Sequence, residues 1–107
     1  MSKVKIHYIL NEKEEHLKGI KRKNKLIFYD QKIKTEIDIE NKIIRRNNDE
    51  YEIELNLKNN TGFYKTIEGN FILEPKLIKY DNLDTLTIIY ELNGQTFKFN
   101  IEVVEWL

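Results

Sequence analysis

The sequence predicts an all-β fold: a single antiparallel sheet of about eight to ten strands closed into a barrel, with little or no helix. Three observations carry that expectation. Apolar and polar residues alternate along most of the chain. Turn-forming residues interrupt the alternation at short intervals. No stretch alternates strand with helix, which excludes a parallel βαβ sheet.

The alternating runs come first. In Lys3–Leu10, Val4, Ile6, Tyr8 and Leu10 share one face. Leu26–Asp30 opens with four apolar residues and reads as a strand buried on both sides, or an edge over a cavity. In Lys32–Glu40, Ile33, Thr35, Ile37 and Ile39 stand against Lys34, Glu36, Asp38 and Glu40. Tyr51–Lys58 repeats the pattern, and so do Phe97, Phe99, Ile101 and Val103. One dry face and one wet face is the signature of an antiparallel sheet.

Turn signals fall at Lys23-Asn24, Glu40-Asn41-Lys42, Asn47-Asn48-Asp49, Asn59-Asn60-Thr61-Gly62, Glu68-Gly69-Asn70, Asp81-Asn82 and Asn93-Gly94. Asn-Gly accepts two positive φ angles, so the last predicts a type I′ turn and a C-terminal hairpin. Glu12–Lys25 is rich in helix formers, but Leu17 and Ile20 alone cannot anchor a helix to a core. Residues 14–22 are therefore read as a charged strand kinked or bulged at Gly19. Pro75 lies inside the run Phe71–Tyr80, so that strand is an edge or bends there.

Composition bounds the rest. The 107 residues allow one domain, 1–107, with one core. They are 40% hydrophobic and 34% charged, with zero formal net charge and no cysteine. The balance gives no global pull toward nucleic acid or anionic lipid. The missing cysteine removes disulfides and thiolate chemistry and fits a reducing compartment. No apolar run has the length of a membrane span, and the first residues lack a signal-peptide core. A cytoplasmic location is expected. Alanine is absent while Lys, Ile and Asn abound, a bias that AT-rich codons produce.

No motif assigns a catalytic residue, a metal site or a cofactor. His7 and His16 are the only histidines, and the sequence places no third ligand at metal-site spacing from them. Both read as solvated surface residues. Gly19, Gly62, Gly69 and Gly94 are isolated and form no phosphate cradle. Carboxylates sit mostly on wet faces. Lys18, Lys21, Arg22, Lys23 and Lys25, joined by Arg45 and Arg46, make a candidate basic patch near Phe28 and Tyr29. Glu12, Glu14 and Glu15 flank it and weaken a nucleic-acid reading. Tyr29, Tyr64, Tyr80, Tyr90, Phe97 and Phe99 are candidate pocket-lining residues, because tyrosine offers an apolar wall and a hydroxyl.

The order of motifs resembles the YwiB-like bacterial family of small calycin-like (lipocalin-like) barrels. The resemblance runs from Gly19 through Lys25-Leu26-Ile27-Phe28-Tyr29-Asp30 and Lys34-Thr35 to Ile43-Ile44-Arg45-Arg46. It continues through Tyr64-Lys65-Thr66, Glu68-Gly69-Asn70 and Leu86-Thr87-Ile88-Ile89-Tyr90. It implies a closed antiparallel barrel and carries over no activity and no functional residue. The leading expectation is a non-catalytic barrel that binds a small apolar or amphipathic ligand inside. The alternative is a protein-interaction module such as a homodimer, using Ile9, Ile44 and Trp106-Leu107 as exposed apolar positions. Single-stranded nucleic-acid binding through the basic patch is a third reading.

Overall fold

The structure is a computed structural model that describes residues 2–83 and 85–105. Trp106 and Leu107 lie outside the described residues. The described chain forms strands and turns with no helix. In chain order the strands are β1 (Ser2–Leu10), β2 (Lys13–Arg22), β3 (Lys25–Asp30), β4 (Ile33–Asp38), β5 (Ile43–Asn47) and β6 (Tyr51–Asn56). They continue as β7 (Thr61–Thr66), β8 (Gly69–Leu73), β9 (Lys76–Asn82), β10 (Leu86–Leu92) and β11 (Gln95–Glu105).

All pair antiparallel in one sheet, ordered β8-β7-β6-β5-β4-β3-β2-β1-β11-β10-β9. Each strand pairs with its chain neighbours, with two exceptions. β1 also pairs with β11, which joins the two ends of the chain, and no ladder joins β8 to β9. The count is eleven, against the eight to ten expected, and Pro75 explains part of the difference. Proline has no N–H to give a ladder, so the run Phe71–Tyr80 divides at Glu74-Pro75 into β8 and β9.

The sheet curls into a half-barrel with its dry face inside. Tyr80 Oη on β9 donates to the carbonyl oxygen of Ile39, just past β4, at 2.5 Å. β9 and β4 stand far apart in the strand order, so only curling brings them together. Lys42 Nζ lies 4.9 Å from the centre of the Tyr80 ring. The inner face buries Val4, Ile6 and Tyr8 from β1, Leu26 and Phe28 from β3, Ile37 and Ile44 from β4 and β5, and Ile88, Phe99 and Ile101 from β10 and β11. Each such side chain contributes about 1.5–3 kcal/mol by leaving water. Ile44, expected to be exposed, is part of this core, and Ile9 is half-buried.

Two local expectations change. β2 is a strand, and its register with β1 runs through Gly19 without a bulge, while its ladder with β3 ends at Gly19. Gly19 is instead a point of close approach. A Cβ there would meet Ile6 Cδ1 at 2.6 Å and the Ile27 carbonyl oxygen at 2.8 Å. β3 is buried on one face alone, since Tyr29 is exposed between buried Phe28 and Asp30. The hairpin at Asn93-Gly94 forms as expected, with φ of 54° and 77°.

Candidate functional site in the sheet interior

Cross-strand register decides which side chains reach the interior. Phe28 pairs with Thr35, Thr35 with Arg46, Arg46 with Ile53, Ile53 with Tyr64 and Tyr64 with Phe71. Directly paired residues share a face, so Arg46 and Thr35 project inward from a row of apolar neighbours. Arg45, one residue earlier, projects outward.

Arg46 is a cation on the inner face. Its Nε donates to Thr35 Oγ1 at 3.2 Å, and its Nη2 lies 4.0 Å from Asp30 Oδ2. Thr35 and Asp30 are both buried. A guanidinium has five N–H donors, and this pairing engages few of them. Two buried polar atoms, Tyr8 Oη and Asp30 Oδ1, have no hydrogen-bond partner among the described residues. Buried polar atoms of this kind are ordinarily satisfied by water or by a bound group.

Glu15 on β2 reaches the same cluster. Interaction with the neighbouring Asp30 carboxyl, followed by burial, raises its pKa above the ordinary value, against the pull of Lys13, whose Nζ lies 3.5 Å from Glu15 Oε1. Burial pushes the Tyr8 hydroxyl up to about 12, against the opposing pull of Arg46. Tyr90 is raised further, again by burial first, with Arg46 opposing. Both tyrosines therefore stay neutral and lie within the field of the Arg46 charge.

Beside Arg46 is a cavity of about 110 Å³, walled by Leu10, Ile53, Tyr90, Leu92, Phe97 and Phe99 among others. Tyr90 stacks on Phe97 with centroids 5.2 Å apart, and Phe99 packs against Tyr8 at 5.6 Å. The site thus combines apolar aromatic walls with one guanidinium. Such a combination orients an anion by paired hydrogen bonds and accepts its apolar part by burial.

Of the six candidate pocket residues, Tyr90, Phe97 and Phe99 line this cavity. Tyr64 lies on the same inner face toward β8, near Tyr51 and Phe71. Tyr80 is tied up at the rim by its bond to Ile39. Tyr29 points outward and is 61% exposed, over a shallow outer depression that also includes Ile20 and Ile27.

The seven basic residues do not come together as one patch. Arg45 is held outside by Glu54 Oε1 at 2.5 Å and Glu36 Oε2 at 3.5 Å, which raises its pKa. Lys25 lies 4.0 Å from Glu36. Lys18 is on the outer face opposite Lys5, Lys21 pairs with Leu26 on the inner-facing set, Lys23 is in a turn with φ of 56°, and Arg22 ends β2. Arg46, the most consequential of the seven, faces the interior. The histidines lie on the outer face, as expected, but not apart from other ligands: the register sets His7 against His16, and Glu14 reaches both.

In comparisons with known proteins, no family model, curated protein or solved structure matches the chain. No helix among the described residues is long and apolar enough to cross a membrane.

Proposed function

We propose that this protein is a non-catalytic, calycin-like barrel that binds a small amphipathic anion, a carboxylate above all, in its interior. The observation that carries this reading is Arg46: a guanidinium on the inner face, engaging few of its donors and bordering an aromatic cavity. The YwiB-like motif order supports the barrel, and a cytoplasmic setting belongs to the same reading. Size narrows the ligand. About 110 Å³ is smaller than the roughly 150 Å³ cavity that takes benzene, so a short aliphatic acid fits and neither a ringed acid nor a long lipid chain does.

Titration calorimetry with acetate, propionate and butyrate, with butyramide as the uncharged control, tests it. The expected result is one site for a carboxylate, little heat with butyramide, and at least a tenfold loss of affinity in Arg46→Gln. A buried charged hydrogen bond is worth about 1.5–3 kcal/mol, which corresponds to that loss or more. Equal binding of butyrate and butyramide, or no carboxylate binding at all, contradicts the proposal without reliance on any variant.

A second reading, self-association, draws on the edge strand β8. It lacks a partner on one side and exposes Phe71 and Ile72, with Ile67 in the turn before it. An unpaired apolar edge can pair with a second strand.

A further inference from the structure

The outer face holds a cluster that the interior reading does not use. His7 on β1 and His16 on β2 are direct cross-strand partners. Their rings stack with centroids 4.5 Å apart and an interplanar angle of 1°. Glu14 stands two residues before His16 and so shares its face. Its Oε1 lies 2.5 Å from His7 Nε2 and 3.5 Å from His16 Nε2. One donor atom from each of the three residues falls within 4.8 Å of the other two.

We propose that His7, His16 and Glu14 form a binding site for a divalent first-row transition cation of the zinc class. Zinc takes imidazole nitrogen and carboxylate oxygen at about 2.0–2.2 Å in tetrahedral geometry, so its ligand atoms stand about 3.4 Å apart. The His16–Glu14 separation already has that value, and an outward rotation of Glu14 brings His7 to it. The stacked rings hold their nitrogen lone pairs in parallel planes, so metal binding also turns the two rings out of the stack until both nitrogens converge on the ion. Glu102 on β11 is the register partner of His7 and holds Oε2 3.9 Å from His7 Nδ1, the nitrogen that faces away from Glu14. A carboxylate behind a ligating histidine fixes its tautomer and orientation. Lys5 and Lys18, the next cross-strand pair, flank the site and moderate its pull on a cation. With three protein ligands on a solvent-facing surface, the fourth position is open to water or to a donor from another molecule.

Calorimetric titration of chelator-treated protein with zinc chloride at pH 7.5, followed in parallel by NMR of the histidine ring nitrogens, tests the site. The expected result is one equivalent of zinc, with the His7 and His16 resonances shifting together. His16→Gln, at a side chain 76% exposed, leaves the thermal melt of the metal-free protein unchanged and lowers zinc affinity at least tenfold. Glu102→Gln lowers it about tenfold, the usual effect of losing a supporting carboxylate. No zinc binding at millimolar metal, or binding that His16→Gln leaves intact, overturns the proposal.

Discussion

Arg45 and Arg46 are neighbours in sequence with opposite environments. Arg45 bridges Glu54 and Glu36 on the wet face, where solvent reduces each pair to a few tenths of a kcal/mol. Arg46 is confined with Thr35, Asp30 and, through Asp30, Glu15. The raised pKa of Glu15 gives a measurable signature. The pKa of Glu15 is raised on folding, so folding takes up protons there. That contribution is fully present below the ordinary Glu15 value of 4.5 and is lost as pH rises through the folded value. Replacing Glu15 by Gln fixes a donor against Asp30 at every pH. In urea unfolding, Glu15→Gln is expected to gain stability relative to wild type as pH rises from 4 to 7; a constant difference across that range contradicts the raised Glu15 pKa. The inward position of Arg46 was legible in principle. Ile44 and Arg46 share one parity, as do Leu26, Phe28 and Asp30, and Thr35 lies on the apolar parity of β4. Reading Arg45-Arg46 as a pair of like charges concealed the alternation that separates them.

At the scale of the element, the hairpins differ in how plainly their sequences announce them. Asn93-Gly94 carries two positive φ angles with the two residue types that adopt them most readily. Asn11-Glu12 has φ of 49° and 75°, and Gln31-Lys32 has 49° and 71°, so both use the same backbone signs without glycine. Their turn chemistry is nearly silent in the sequence; the flanking alternation supplies the signal. Left-handed backbone costs a residue with a β-carbon roughly 1–2 kcal/mol. Replacing Gln31-Lys32 by Asn-Gly therefore is expected to stabilise the protein by about 1 kcal/mol, raising the melting temperature by about 4–8 °C. An unchanged or lowered melting temperature shows that this turn is not strained. The β1–β2 hairpin has a second role. Its register alone unites His7 with His16, and Glu14 joins them through the period of the strand. Histidines nine residues apart show no metal spacing in a linear reading, because a hairpin folds that distance to a cross-strand contact.

The whole molecule is a meander whose first and last strands pair while its middle remains open. An all-β antiparallel sheet was legible because period-two alternation and frequent turns imply a sheet with one dry face. The opening at β8 and β9 was not, because Pro75 signals a break without saying whether the ladder resumes beyond it. Phe71 and Ile72 are exposed on the open edge, which is where the proposed self-association would take place. Sedimentation velocity across a broad concentration range is expected to show dimer formation that Ile72→Lys suppresses; a monomer at every concentration removes this second reading. The interior depends on the curl rather than on full closure, since the β9 rim already reaches Ile39 across the opening. That curl encloses Arg46 together with Tyr90 and Phe99. The most direct measurement of the central claim is a butyrate titration followed by NMR of the arginine Nε–H groups and the tyrosine rings. The account predicts saturable shifts at Arg46 Nε and the Tyr90 ring, with Arg45 and Tyr29 unmoved. Shifts confined to Arg45 or to the outer face at Tyr29, or none at Arg46, contradict it.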